Sequence, residues 1–446
     1  MRPLLRRSCA AVIWTLALLD CASGQLLIQS PAAAFETGGT EELLRDRSVR
    51  EPVIPDAPAV QQESMLEVPL PARDLPVRET PVLRKNPLLL SARPIVLLLS
   101  LRASAMFDDN IFNSAQDKES DFIYKLAPGI LAGMGDYAEQ KHAFVTAGFV
   151  PSFINFQRHR DLSDIDYDAF LEGQSTFSKL RIDSRFSFER RTGEDLDAPG
   201  RISRDLCAAD LLAQYALSER TTVEASGRAV HRDYLTLIDS DECFNRDFVA
   251  YLMSPTLQVA LGAGLGWLSI ANGQKQTYAQ PLLRIWYQPG PKLSLRVIAG
   301  GDFRRFHEDQ PGRTTPVGDI SLVYQPSQGG NTKLTLGGYR TVQNSASLPG
   351  ENYTSTGVIF RATQRVGRDL YLELEAGYQR ASYYPAGPGI DSHRRDDNFV
   401  VSPRIRYDLN SWGSFSLFYR WRNNDSTLLS DTYENQHIGI EFTVGL

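Results

Sequence analysis

The sequence predicts an all-β protein: a transmembrane, antiparallel up-and-down β-barrel of about 18 strands, with 16 as the alternative. Three observations predict it. Apolar and polar side chains alternate with period two through most of the last three-quarters of the chain, which puts them on opposite faces of strands. The same unit recurs from Ile95 onward: strand, tight turn, strand, long polar loop. No stretch is long and apolar enough to cross a membrane as a helix, so a membrane position requires a closed ring of strands.

The chain has 446 residues and a formal net charge of −6, with a mean hydropathy of −0.27. That mildly acidic balance argues against a nucleic-acid binder. At the start, Arg2, Arg6 and Arg7 precede an apolar run from Cys9 to Leu19, and Ala22-Ser23-Gly24 offers small residues for cleavage. Residues 1–24 have the form of a secretory signal peptide. Lipid attachment at Cys21 is the alternative, and Asp20 fits it poorly. Residues 25–94 are rich in proline and hold no period, which predicts a disordered periplasmic segment. It acts as a tether, as an arm for periplasmic or polysaccharide-export partners, or merely as a solvated leader.

Residues 95–446 carry the barrel. Tight turns are predicted near Gly135-Asp136, Ser178-Lys179, Ser218 to Arg220, Ser254-Pro255, Pro289-Gly290, Ser327 to Gly330, Val366-Gly367 and Asn410-Ser411. Eight such hairpins plus one strand at each end give 18 strands, and an even number leaves both ends of the barrel in the periplasm. The stretch from Leu252 to Ala271 is ambiguous and leaves 16 open.

One face includes Ile182, Phe186, Phe188, Val223, Leu293, Leu295, Val297, Val358, Phe360, Leu372 and Leu374. The other bears the charges: Arg181, Arg185, Arg228, Arg284, Arg296, Arg361, Glu373, Glu375, Arg404, Arg406 and Arg420. An arginine at mid-strand facing lipid costs about 2–4 kcal/mol, so these residues are expected to line a wet lumen. Two readings remain: an anion-favouring constriction, or a ladder of Arg–Glu pairs that stiffens the wall. Tyr287, Tyr324, Tyr378, Tyr407, Trp412, Tyr419 and Trp421 fall near strand ends, where interfacial girdles belong.

Two stretches carry resemblances. His437-x-Gly439-x-x-Phe442-x-Val444 resembles the C-terminal assembly signal of bacterial outer-membrane barrels, although Gly445 and Leu446 stand where a terminal Phe is usual. The resemblance implies outer-membrane lipid and the barrel-assembly machinery as partners. Ala105-Met-Phe-Asp-Asp-Asn-Ile-Phe112, with Asp121-Phe-Ile-Tyr-Lys-Leu-Ala-Pro-Gly129, resembles the opening of the β-barrel porin 2 family. That resemblance implies an outer-membrane barrel with a porin-like role, and no catalytic residue.

Four cysteines are present. Cys9 and Cys21 lie within the signal peptide, leaving Cys207 and Cys243, a pair compatible with one disulfide in an exported chain. Acidic loop clusters such as Glu194/Asp195/Asp197 match no calcium-loop spacing and read as solvated. The six histidines are scattered, and no Ser and acid join any of them in a recognisable motif. No metal, phosphate-loop or dinucleotide motif is present, so no metal and no cofactor are expected. The functional expectation is passive diffusion of small hydrophilic solutes through a charged, Arg-rich lumen. Alternatives are a polysaccharide export conduit, a plugged barrel whose loops make surface contacts, and, last, a lipid-modifying enzyme.

Overall fold

A computed structural model describes residues 90–92, 95–135, 143–194, 197–198, 200–271, 274–307, 310–326, 331–387, 392–410 and 412–445. The predicted signal peptide, most of the proline-rich segment, the turn expected at Ser327 to Gly330, and the turns expected at Gly135-Asp136 and Asn410-Ser411 (beyond Gly135 and Asn410 themselves) lie outside them. Eighteen antiparallel strands form a ring. They are β2 (Ile95–Asp108), β3 (Asp121–Gly135), β4 (Ala143–Phe156), β5 (Asp164–Thr176), β6 (Leu180–Glu194) and β7 (Arg201–Ala216). Then come β8 (Thr221–Tyr234), β9 (Ser240–Ser254), β10 (Leu257–Ile270), β11 (Lys275–Gly290), β12 (Leu293–Phe306) and β13 (Arg313–Tyr324). The last are β14 (Thr332–Asn344), β15 (Glu351–Val366), β16 (Leu370–Pro385), β17 (Arg395–Asn410), β18 (Gly413–Ser426) and β19 (Tyr433–Gly445). Each pairs with the next, and β19 closes on β2 from His437↔Asp108 to Gly445↔Ser100.

One difference from the sequence reading lies at the entry. Leu90–Ala92 forms a short strand, β1, that folds back on β2 (Leu90↔Leu97, Ala92↔Ile95). β19 reaches down β2 only to Ser100, so β1 pairs with the stretch of β2 edge that the last strand leaves bare. β1 therefore lies inside the segment expected to be disordered.

The ambiguous stretch resolves into two strands, β9 and β10, joined at Pro255-Thr256. Its alternation was blurred because three successive inward positions of β10, Gly262, Gly264 and Gly266, are glycine. A Cβ on Gly266 would meet the Tyr278 ring at 2.0 Å, and one on Gly262 would meet Phe248 at 2.4 Å. Aromatic rings of the neighbouring strands lie where polar side chains would otherwise mark the face.

Outside, the alternation exposes large apolar residues around the ring, among them Leu126, Phe149, Leu171, Leu211, Val249, Leu261, Leu283, Ile320, Leu336, Leu372, Ile405, Leu417 and Ile440. Tyr215, Tyr251, Tyr287, Tyr324, Tyr407 and Trp412 form an exposed girdle at the end with the short turns. At the other end, outward aromatics donate to polar partners: Tyr378 Oη to Asp397, Tyr419 Oη to Gln436 and Trp421 Nε1 to Glu434. Trp412, in the turn just before β18, and Trp421 on that strand are nine residues apart. At about 3.4 Å per residue and a tilt of about 40°, that climbs roughly 23 Å, close to the apolar band of an outer-membrane barrel. A closed ring with this exterior spans a bacterial outer membrane, its short turns in the periplasm and its loops outside.

Candidate functional site

The candidate site is the interior of the ring. Every charged residue singled out for the lumen stands on the inward register, and the arginines fall into pairs with carboxylates along the wall. Near the turn end the pairs are Arg181–Asp183 (2.9 Å), Arg185–Glu172 (3.2 Å), Arg361–Glu375 (2.6 Å), Arg296–Asp319 (2.9 Å) and Arg406, which bridges Glu373 (3.0 Å) and Asp408 (3.3 Å). Higher up are Arg228–Asp210 (3.6 Å), Arg284–Glu224 (2.7 Å) and Arg404–Glu441 (3.1 Å). Arg420 is inward as well, opposite His437.

The interior is not uniformly polar. Phe248, Ala250, Ala260, Leu282 and Ile298 form a buried apolar cluster on the inner face of β9–β12. The small inner face of β10 lets long side chains cross it. Arg284 of β11 lies 4.4 Å from the Phe248 ring centroid and reaches β8, where Nη1 and Nη2 donate to the two Glu224 oxygens at 2.7 and 2.9 Å. Tyr278 passes over Gly266 and donates to Glu242 (2.7 Å), with Arg304 stacked on its other side at 4.4 Å.

The loop end is constricted. Among the described strands no other run of buried residues is as long as Glu351 to Ser355 of β15, all five of which are buried. Here the top of β14–β16 leans into the lumen. Its originally outward face packs on the inner wall: Asn352 and Gln276 of β11 exchange two hydrogen bonds (2.8 and 3.1 Å), and Arg313 sits 3.8 Å over the Tyr384 ring. Its other face meets Asp197 of the β6–β7 connection. The Asp197 carboxylate accepts from Ser345 Oγ (2.9 Å), Ala346 N (2.5 Å), Ser347 N (3.0 Å) and Tyr383 Oη (2.8 Å), and its carbonyl accepts from Arg394 Nη1 (2.9 Å). Asp197 was expected in a solvated cluster; it is 3% exposed. From the opposite wall Ile111 of the β2–β3 loop packs on Ile123, Ile154 and Phe156. Below it, His159 ties two loops, its ring nitrogens on Asp121 (3.0 Å) and Glu119 (2.7 Å). The hydrogen bond to Asp121, then that to Glu119, raises its pKa above the ordinary 6.5.

At the closing seam, His437 pairs with Asp108 of β2 at 3.1 Å. Gly439 has no room for a side chain, because a Cβ would stand 2.8 Å from the Ala105 carbonyl and 2.6 Å from Phe418. Phe442 points outward, 37% exposed, and Val444 shares its register.

The disulfide expectation is overturned. Cys207 and Cys243 are not joined to each other. Cys207 faces His231 and Cys243 faces Ala229, both on β8, so a whole strand lies between them. Two interstrand spacings make about 10 Å, beyond the roughly 7 Å reach of a disulfide between Cα atoms. Cys243 also lies within β9 rather than in a loop.

A family model described as "Putative MetA-pathway of phenol degradation" matches residues 197–429. The chain belongs to that family. The matched model is not the porin 2 family that the opening resembles; what it supports is an outer-membrane β-barrel family. No curated protein matches the chain. Solved structures similar to it include Pseudomonas aeruginosa OpdK with vanillate, at 11% identity and TM-score 0.42, covering 78% of this chain and 99% of that one. Acinetobacter baumannii OccAB3 matches at 9% identity and TM-score 0.42, with the same coverage. A bacterial polysaccharide outer membrane secretin matches at 8% and 0.34, covering 78% and 97%. Scores this low carry no inference about what passes through this member of the phenol-degradation family.

Proposed function

We propose that the chain is a channel for passive diffusion of small hydrophilic solutes across the outer membrane. One observation carries the reading: the ring is closed, and a ladder of paired charges runs along its inner wall. Water and polar solutes find hydrogen-bonding partners there that lipid does not offer. Because the arginines are paired, we assign them to stiffening the wall, and we assign selection to the constriction around Asp197. The signal peptide directs export, residues 25–89 stay periplasmic, and the motif from His437 to Val444 engages the assembly machinery. The family description makes small phenolic compounds the first solutes to try alongside sugars and amino acids.

Single-channel recording of refolded protein tests the reading. Stepwise conductance supports it; a silent barrel with correct migration on gels overturns it. The buried Asp197 network favours one second reading, a plugged barrel, which predicts no conductance until that network is broken.

A further inference from the structure

The ladder does not seal the wall at one seam. β13 pairs with β12 along its length, up to Arg304↔Arg313, and β14 pairs with β15 up to Asn344↔Asn352. Between β13 and β14 the pairing stops at Gly318↔Arg340. Above that point no main-chain pair joins Arg313 to Val317 with Thr341 to Asn344. Five residues at about 3.3 Å each leave a slit on the order of 15 Å long, in the half of the wall that meets the outer leaflet.

The sequence supplies reasons for the split. Pro316 has no amide proton to offer β14. Its carbonyl accepts instead from Arg340 Nε (3.1 Å), and Arg340 Nη1 donates to Thr356 Oγ1 (2.9 Å), which marks the base of the slit. Behind the slit stands the leaning top of β14–β16, latched to the inner wall by Asn352–Gln276 and by Arg313 on Tyr384. Outside it, Phe303 is 49% exposed and Pro316 is exposed beside it. An aromatic ring entering here meets apolar carbon outside and a tyrosine under a guanidinium inside, a surface that favours flat π systems.

We propose that the β13–β14 seam is a lateral portal for small aromatic molecules, joining the external half of the lumen to the outer leaflet, with Asn352–Gln276 as its latch. The portal does not depend on ions crossing the lumen. The probe is N-phenyl-1-naphthylamine, which brightens on reaching lipid, added to intact cells that make the protein. In a Cys207→Ser, Cys243→Ser background, Pro316→Cys and Val342→Cys are bridged by a reducible bifunctional thiol reagent. Val342 is the position that would face Pro316 if the ladder continued. Bridging is expected to bring probe uptake down to that of cells lacking the protein, and reduction to restore it. Asn352→Ala is expected to raise uptake about tenfold, as loss of both latch bonds implies. Ion conductance, where present, stays within about twofold on bridging; if the unbridged chain is silent while probe uptake persists, the channel reading fails and the portal stands. Unchanged uptake after bridging overturns the portal. So does conductance falling in step with uptake, since the seam would then only support the lumen. Should the double-cysteine chain fail to assemble, Val342→Trp, which fills the slit, is expected to give the same loss.

Discussion

The Arg284–Glu224 pair offers a measure of how dry the interior is. Both hydrogen bonds are short, and the two side chains are 3% and 5% exposed. Glu224→Ala would leave a guanidinium against Phe248 and Leu282 with no carboxylate. Removing one partner of a buried pair costs about 3–5 kcal/mol. Arg361 provides the internal contrast: its side chain is 47% exposed, and the median for such pairs is about 0–1 kcal/mol. The two variants are compared by reversible urea unfolding of the protein in lipid vesicles, followed by tryptophan fluorescence. Glu224→Ala is expected to be the less stable by at least about 2 kcal/mol. Replacing both Arg284 and Glu224 with Met should recover most of the loss, because the surroundings are apolar. Equal, small losses for Glu224→Ala and Arg361→Ala would refute the reasoning, and would mean that bulk-like water reaches Arg284.

Gly439→Ala should destabilise the closing seam by about 1–3 kcal/mol, read as a lower yield of heat-modifiable barrel on gels; normal yield would remove the crowding argument. Asp197→Ala strands several buried donors, each worth about 1–3 kcal/mol, and should make the 345–350 connection more sensitive to protease while raising conductance or its noise. The His159 pKa is raised in the folded state, so its stabilising tie is fully present below about 6.5 and lost as pH rises through the higher folded value. Proteolysis of the 109–120 loop should therefore increase across that window, and His159→Gln should abolish the dependence. Labelling of denatured protein should find Cys207 and Cys243 equally reactive with and without prior reduction; a gain on reduction would restore the disulfide.

The ring was legible because a period of two is a local property. Ile182 and Arg181 sit on opposite faces whatever the rest of the chain does. The strand count was blurred only where Gly262, Gly264 and Gly266 erase the polar half of the pattern. The constriction was not legible. Asn352 meets Gln276 across 76 residues of sequence, and Asp197 meets Tyr383 across 186; no spacing rule reports such pairs. Most of Glu351 to Ser355 are polar, so nothing local marks them as buried; the inward lean of the strand top buries them. The cysteines failed for a related reason: sequence distance does not say that β8 runs between them.

The short return of Leu90–Ala92 onto β2 bears on how the protein is to be handled. A closed sheet resists recruiting other chains only while no stretch of main chain is left to template them. Removing everything before Ile95 would uncover that edge of β2, at the place where first and last strands must find each other. Truncations meant to isolate the membrane portion should therefore start ahead of Leu90, and those that start later are expected to clump during refolding.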